Sequence, residues 1–310
     1  MHTGAELRRK AEDPRIWAGR NNPGSTPGRP KMMKRMCEDE GNGSEMNDSA
    51  ARKKDFIRAF DRLTGYQPRW QTWQDMIWIF ATAISNAVDV RNRRKREERY
   101  LDIIRRYDEE RRKMFPELFA RLVQNMDEAV QDGNFGDMLG ELFMEMNLGN
   151  DLGGQFFTPY NICMAMSRLI DEKRLAETIR QRGYVSCNDP ACGAGATMIA
   201  MAQALHEDGL NYQTTCMFVG QDIDETTALM CYIQLSLLGC AGYVHVGNTL
   251  TEPMTGHELF GDGGENTWYT PMYFAEVWEI RRQAAIMRHA MGMNERVEGK
   301  TPEEQLMMEI

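Results

Sequence analysis

The sequence predicts an α/β fold, with a doubly wound, Rossmann-like domain preceded by a helical domain. Three observations support this prediction. From residue 154 to about 250, strand-like and helix-like stretches alternate, which favours a parallel sheet with right-handed crossovers. A glycine-containing turn at 189–195 joins a strand-like stretch to a helix-like one. Residues 51 to about 147 show helical periodicity.

The first 50 residues are rich in Gly, Pro, Asn and Ser and show no sustained periodicity. Such a composition buries too little apolar surface to offset the entropy of ordering, so we expect a disordered arm over 1–50. An alternative is that translation starts at Met32, Met33, Met36 or Met46.

A helical N-terminal domain is predicted over 51–150. Apolar residues recur there at helical spacing in three stripes. The stripes are Phe56, Phe60 and Leu63; Trp73, Ile77, Phe80, Ile84 and Val88; and Leu118, Leu122, Met126 and Val130. Aromatic residues at this spacing are typical of a packed core, so Trp70, Trp73 and Trp78 are interpreted as packing residues.

A third region, 151–310, is predicted to hold the alternating elements and a helical C-terminus. The expected strands are 184–188, 216–221 and 242–247. The expected helices are 159–170, 196–206, 224–238 and 274–291, and Thr158 and Pro159 are predicted as the N-cap and first residue of the first of them.

The turn Asp189-Pro190-Ala191-Cys192-Gly193-Ala194-Gly195 predicts a cofactor site. Glycines there let a ligand approach the backbone, and free N–H groups at a helix start attract polar or anionic groups. The third glycine of the dinucleotide fingerprint is missing, since Met198 stands in its place. Asp222 ends the next strand, where an acidic residue can accept the ribose hydroxyls of a nucleoside cofactor.

Three elements in this order resemble the adenine-specific DNA methyltransferases of the type I restriction-modification kind. They are GQFFTP at 154–159, DPACGAG at 189–195 and Asp222 at the end of the next strand. The resemblance covers roughly residues 135–250 and begins with DMLGELF at 137–143, which resembles the family's last helix before the catalytic domain. It implies an S-adenosylmethionine (SAM) pocket in a SAM-dependent methyltransferase fold. The alternative is an unrelated αβ turn whose glycines only relieve crowding.

The resemblance also implies roles for individual residues. It predicts SAM contacts at Phe156, Thr158, Pro159, Asp189, Pro190, Gly193, Gly195, Asp222, Ile223 and Asn248. Among these, Asp222 would hold the ribose and Ile223 would pack on the adenine. Asn248 stands where the family usually has Asp, and its side-chain carbonyl can still accept a hydrogen bond.

One family motif is absent, because no Asn-Pro-Pro-aromatic tetrapeptide occurs in the sequence. The closest candidate is Thr270-Pro271-Met272-Tyr273, and no Val/Ile-rich strand is visible before it in 251–267. We expect Thr270, Pro271 and Tyr273 to be the catalytic residues that receive the flipped base, although a hydroxyl lacks the planar geometry of an amide.

Composition limits the alternatives. The net charge of −9 argues against a general nucleic-acid coat but allows a local basic patch, for which 91–99 and 15–35 are candidates. The seven cysteines form no C-x-x-C pair, so no metal site is expected, and Cys192 is interpreted as a small residue filling the turn. No membrane-length apolar run or signal peptide is visible, so we expect a cytoplasmic protein without a membrane partner.

Together these features predict a SAM-dependent, adenine-specific DNA methyltransferase of a restriction-modification system, with DNA as its substrate. No recognition domain is visible, so sequence specificity would come from a specificity or partner subunit supplied in trans. The alternative is a non-catalytic SAM-binding or DNA-associated subunit that scaffolds or regulates a partner.

Overall fold

The structure is a computed structural model that describes residues 42–65, 67–151, 157–254 and 256–291. Residues 1–41 of the predicted disordered arm therefore lie outside the described residues. Residues 42–50 belong to the first helix, so the prediction of disorder is wrong for this last part of the arm. The helix starts before the apolar stripe that begins at Phe56, and a run of favourable helix formers leads directly into that stripe: Ala50, Ala51, Arg52, Lys53 and Lys54.

The predicted helical region is helical. Its helices are α1 (Asn42–Thr64), α2 (Arg69–Val88), α3 (Arg93–Ile104), α4 (Glu109–Gln131), α5 (Met138–Glu145) and the short α6 (Leu148–Asp151). Phe56, Phe60 and Leu63 are completely buried, and so are Trp73 and Ile77 of the second stripe. The stripes therefore form core, and the interpretation of the tryptophans as packing residues is supported.

Three strands and their helices follow in the predicted order. Helices α7 (Tyr160–Ser167) and α8 (Glu172–Arg182) precede β1 (Val185–Asp189), α9 (Ala196–Glu207), α10 (Tyr212–Thr215), β2 (Cys216–Asp222), α11 (Glu225–Leu237) and β3 (Ala241–Val246). Strands β1 and β2 are parallel, with Val185 opposite Cys216, and β2 and β3 are parallel, with Met217 opposite Ala241. The predicted α/β character and the parallel pairing are confirmed.

A fourth strand, β4 (Thr267–Tyr269), was not predicted. It pairs antiparallel with β3, so the described sheet has the order β1-β2-β3-β4 and is mixed. Three residues are too few to show an alternating pattern in a sequence. A 3₁₀ turn (Pro271–Phe274) and helix α12 (Glu276–Ala290) follow it, in agreement with the helix predicted over 274–291.

Both faces of the sheet carry buried side chains. On one face, Val185, Phe218 and Val244 join a continuous cluster with α9, α11 and the N-terminal helices. On the other face, Met217 and Tyr243 pack with Trp278 of α12. The helical region and the sheet thus share one core, while the predicted boundary at residue 150 stays a prediction.

The basic run at 91–99 is largely used to attach α3 to the sheet. Arg96 is buried, pairs with Asp89 at 2.8 Å and donates to the Thr267 carbonyl oxygen at 2.8 Å. Its guanidinium stacks on Trp268 at 3.8 Å, and Arg99 stacks on Trp78 at 3.5 Å. Arg96 is therefore unavailable to phosphates, whereas Arg93 and Arg94 are exposed.

None of the described helices is long and apolar enough to cross a membrane.

Candidate cofactor-binding site

The turn after β1 is held by the side chain that begins it. The Asp189 carboxylate accepts hydrogen bonds from the Ala191 N–H at 3.0 Å and from the Thr197 hydroxyl in the first turn of α9. The Cys192 N–H donates to the Gln221 carbonyl oxygen at 2.9 Å, which connects the turn to β2. Asp189 therefore fixes the path of the backbone around the site before any ligand arrives.

Two glycines in this turn have backbone conformations that L side chains rarely adopt. Gly193 has φ +51° and Gly195 has φ +97°. A Cβ at Gly193 would lie 3.2 Å from the Phe157 ring, and one at Gly195 would lie 2.8 Å from the Cys231 sulfur. The sequence therefore needs glycine here for conformation and for space, as the turn motif predicts.

Asp222 connects the ends of the three parallel strands. Its Oδ2 accepts from the Gly193 N–H at 2.8 Å, and its Oδ1 accepts from the Asp224 N–H at 2.9 Å and the Thr227 hydroxyl at 3.2 Å. Its backbone carbonyl accepts from the Gly247 N–H, just after β3, at 2.9 Å. The two predicted acidic residues therefore lie at neighbouring strand ends, around one turn.

A cleft of about 210 Å³ opens at these strand ends. It is lined by Asp137, Phe157, Thr158, Asp189, Ala191, Cys192, Gly193, Ala194, Ala196, Thr197, Asp222 and Thr227. Four of the predicted cofactor residues, Thr158, Asp189, Gly193 and Asp222, are therefore brought together. Gly195 lies immediately behind them, as the residue before α9.

The other described residues predicted to bind the cofactor do not line this cleft. Pro159 and Pro190 are exposed beside it, and Ile223 is 69% exposed next to Asp222. Asn248 is half-buried two residues past β3, where its Oδ1 accepts from the Leu250 N–H at 2.9 Å. Phe156 lies outside the described residues.

The helix start at Thr158-Pro159 differs from the prediction by one residue. Pro159 is the N-cap and α7 begins at Tyr160, and the Thr158 side chain makes no capping hydrogen bond. The Pro159 carbonyl instead accepts from the Ile162 N–H at 2.9 Å. The Thr158 side chain is thus not committed to the helix and lines the cleft.

The predicted catalytic residues are not brought to the cleft. Thr270 is completely buried and donates to the Cys240 carbonyl oxygen at 2.7 Å, while accepting from the Gly242 N–H at 3.0 Å. Tyr273 is also buried and donates to Leu259. Because β4 runs antiparallel to β3, Thr270 lies beside the first residues of β3. The cleft lies at the other end of the parallel strands. The structure does not support a base-receiving role for Thr270, Pro271 and Tyr273, and we propose it no further.

Eight of the twelve residues that line the cleft were not predicted as cofactor residues, and Phe157 and Thr227 are two of them. Phe157 lies between the Gly193 turn and Phe143, whose ring centroid is 5.3 Å from its own. Thr227 lies one turn into α11 and contacts Asp222. Neither stands out in the sequence, although Phe157 belongs to the quoted GQFFTP motif.

The Cys192 thiol is structural. Its hydrogen bond with Cys231 and its burial raise its pKa well above the usual range, so it is not a ready nucleophile. Among the described residues, no group of three or more His, Cys, Asp and Glu is arranged to hold a metal.

Asp137 was also not predicted as a cofactor residue, and it is the most deeply buried carboxyl of the cleft lining. It begins α5, where its Oδ1 accepts from the Gly140 N–H at 3.0 Å and the Gln234 amide at 2.7 Å. Gln234 also donates to the Ala194 carbonyl oxygen in the glycine turn at 2.8 Å. Burial raises the pKa of Asp137 to about 6, against the effect of these hydrogen bonds, which lower it. Nearby Glu141 raises this pKa further and Lys53 lowers it.

This raised pKa predicts a pH-dependent stability. A carboxyl whose pKa is higher in the folded than in the unfolded state stabilises the fold fully at pH values below its unfolded-state pKa. This stabilisation is lost as the pH rises through the folded-state pKa. Raising the pKa from 3.8 to about 6 corresponds to about 3 kcal/mol. The free energy of unfolding of Asp137→Asn, measured in urea, should therefore decline less than that of the wild type between about pH 4 and pH 6. If the free energy of unfolding declined equally with pH in the two proteins, the raised pKa of Asp137 would be contradicted.

One family model matches the part of the chain that contains this site. Residues 130–275 match the family model described as N-6 DNA Methylase. A solved structure that is similar to this chain is the methyltransferase subunit of the type I restriction-modification system from Streptococcus thermophilus, at 17% identity and a TM-score of 0.32. The match covers 66% of this chain and 41% of that one, so the chain spans less than half the length of that protein. No curated protein sequence matches significantly. Residues 130–275, which contain the glycine turn and the cleft, match the N-6 DNA methylase family, and the resemblance seen in the sequence is thereby confirmed.

Proposed function

We propose that this chain binds SAM in the cleft and serves as the cofactor-binding part of an adenine-specific DNA methyltransferase. The observation that carries the proposal is the hydrogen bond from the Gly193 N–H to Asp222, which brings a glycine turn and an acidic strand end to one cleft. A cleft at the carboxyl ends of parallel strands is where α/β folds bind nucleoside cofactors.

The residues present fit such a cofactor. A carboxylate has about four lone-pair sites, and Asp222 uses three of them on Gly193, Asp224 and Thr227, which leaves acceptor capacity for a ribose hydroxyl. The exposed side chain of Ile223 offers an apolar surface next to that carboxylate. On the other side of the turn, Asp137 has an oxygen, Oδ2, that accepts no hydrogen bond from the described residues. An ammonium group would be favoured near that oxygen.

When bound, SAM supplies an electrophilic methyl group on a sulfonium. In the proposal, Asp222 orients the nucleoside end, the Gly193 turn lets the ligand approach the backbone, and Phe157 and Thr158 close the cleft on one side. Asp189 acts as a positioning residue, because both of its contacts hold the turn itself. DNA as substrate and adenine as target are proposed from the family match and the resemblance.

One observation favours a second candidate function. No residue of the closest tetrapeptide, Thr270 to Tyr273, lies at the cleft, so the described residues include no group assigned to the target base. As the second candidate function, we propose that this chain binds SAM but transfers no methyl group by itself. It would then act as a scaffold or cofactor-binding subunit for a partner such as a specificity subunit.

Calorimetric titration of the purified chain with SAM and with its demethylated product tests the proposal. We expect micromolar binding, and Asp222→Ala should weaken it by about 1.5 to 3 kcal/mol, because charge-assisted hydrogen bonds are lost. Asp224→Ala is the matched control, since Asp224 caps α11 from the neighbouring position but does not line the cleft. It should leave SAM affinity within about twofold of the wild type.

The same preparations are then offered unmethylated DNA and tritiated SAM. Methyl transfer by the chain alone supports the enzyme, and SAM binding without transfer supports the second candidate. Binding of neither SAM nor its product at millimolar concentration would reject both.

A further inference from the structure

The cleft is lined by acidic side chains. Its described lining contains three carboxylates, those of Asp137, Asp189 and Asp222, and no lysine, arginine or histidine. Carboxylates that share a partly buried site raise each other's energy, and a positive charge near them lowers it. The charge of the lining therefore favours a ligand that carries a positive group.

The three carboxylates differ in how many of their oxygens already accept hydrogen bonds. Both oxygens of Asp189 hold the glycine turn, through the Ala191 N–H and the Thr197 hydroxyl. Both oxygens of Asp222 also accept hydrogen bonds. In Asp137, Oδ1 accepts two hydrogen bonds, whereas Oδ2 accepts none from the described residues. Asp137 is thus the lining carboxylate with an oxygen left for a ligand.

The position of this carboxylate is fixed by the fold. Asp137 is only 3% exposed, and its Oδ1 is held by the Gly140 N–H and by Gln234. Gln234 also donates to the Ala194 carbonyl oxygen, which ties the carboxylate to the glycine turn. A Cβ at Gly140 would clash with the carboxylate, so glycine at this position leaves the room that the side chain occupies. Oδ2 is therefore placed at the cleft before a ligand binds.

The titratable groups around Asp137, besides the other two lining carboxylates, come from α1, α5, α7 and α11. They are Lys53, Glu141, Tyr160, Cys163 and Cys231. Burial raises the pKa of Tyr160 and of Cys163. For Cys231, a hydrogen bond with Cys192 lowers the pKa and burial raises it, with a net rise. These three groups are neutral near pH 6, and Lys53 pairs with Glu141. No cation among the described residues pairs with Asp137 itself.

We propose that Oδ2 of Asp137 binds the α-ammonium group of the cofactor, and that the cleft thereby selects nucleoside ligands that carry a free amino group. The inference rests on the proposed function, because it requires the nucleoside end of the ligand at Asp222. An ammonium group has three N–H donors, and a carboxylate oxygen without another partner is a strong acceptor for one of them. Asp137 then holds the amino-acid end of the ligand beside Ala194, while Asp222 holds the nucleoside end beside Gly193.

Calorimetric titration of the full chain with two ligands tests this inference. One ligand is the demethylated product of SAM. The other is its deamino analogue, which has hydrogen in place of the amino group and keeps the carboxylate and the nucleoside. At about pH 7.5 we expect the analogue to bind about 10- to 100-fold more weakly, as for the loss of one charge-assisted hydrogen bond. Equal affinities for the two ligands would overturn the proposal.

Two variants assign the selection to one carboxylate. Asp137→Asn removes the charge and keeps an oxygen that can accept from Gly140 and Gln234, and asparagine is also a good N-cap. It should bind the product and the deamino analogue within about threefold of each other. Glu141→Gln is the matched control, because Glu141 lies one turn further along the same helix and does not line the cleft. It should keep the wild-type preference.

A preference retained in Asp137→Asn, or lost in Glu141→Gln, would show that Asp137 is not the ammonium-binding residue. The comparison of the two ligands on the wild type does not depend on either variant being folded.

The proton balance of binding is a second measurement. Burial raises the pKa of Asp137 to about 6, and the carboxyl must be ionised to hold an ammonium group. The affinity for the product should therefore rise about tenfold between about pH 5 and pH 7, and binding should release about half a proton at pH 6. The proton release is measured from the heat of binding in buffers of different ionisation enthalpy. The deamino analogue and Asp137→Asn should show neither effect, and a product affinity that does not rise with pH would overturn the ammonium contact.

The two proposals fail in different ways. If SAM and its product bind but the deamino analogue binds equally well, only the ammonium contact is rejected. If neither SAM nor its product binds at millimolar concentration, the proposed function is rejected, and the ammonium contact with it.

Discussion

Replacing Gly195 with alanine should destabilise the fold by about 2 to 5 kcal/mol and abolish SAM binding. The left-handed conformation at φ +97° costs an L residue about 1 to 2 kcal/mol. The new Cβ would also lie 2.8 Å from the Cys231 sulfur and 3.4 Å from its Cα, and overpacking of a buried site costs about 1 to 3 kcal/mol. Urea denaturation gives the free energy of unfolding, and calorimetry gives the affinity for SAM.

Gly209→Ala is the matched control for this substitution. Gly209 has a similar conformation, φ +74°, but a Cβ there meets nothing within 4 Å. Gly209→Ala should lower the free energy of unfolding only by the cost of the left-handed conformation, about 1 to 2 kcal/mol, and leave SAM binding unchanged. Equal losses of stability in the two variants would show that the close packing of the turn against α11 is not the reason for glycine at position 195.

Replacing Arg96 with methionine should destabilise the protein by about 3 to 5 kcal/mol, because it leaves Asp89 buried without its charged partner. The substitution also removes the donor to Thr267 and the stack on Trp268, which connect α3 to β4. Differential scanning calorimetry or urea denaturation measures the loss.

Arg94→Gln is the control for charge alone. Arg94 is 91% exposed and, within the described part of the chain, pairs with Glu98 alone, on its own helix, so its loss should change stability by less than about 0.5 kcal/mol. If Arg94→Gln also destabilised the protein strongly, the run at 91–99 would not divide into buried and exposed members as the structure indicates. A DNA-binding test of this run should therefore change Arg93 and Arg94 and keep Arg96.

The basic run illustrates how far a sequence can be interpreted. Its charge is visible in the sequence, and a solvated helix face or a phosphate-binding patch is the ordinary interpretation. That Arg96 turns inward depends on two aromatic residues far apart in the chain, Trp78 and Trp268, whose ring centroids are 5.2 Å apart. No local pattern connects them. The same reason explains why Asp137 was missed, since its partner Gln234 comes from α11.

The sequence by itself determined the order of the three parallel strands, the glycine turn and the position of Asp222 at the end of the next strand, because these depend on local periodicity and on backbone conformation. Only the tertiary structure decided where the Thr270-Pro271-Met272-Tyr273 segment lies. Its position depends on the direction of a three-residue strand, and an antiparallel β4 carries Thr270 away from the cleft and buries it. The tertiary structure also showed that, among the described strands, β1 pairs only with β2. Pairing is a relation between strands distant in sequence, and the pattern within a single strand does not specify its neighbours.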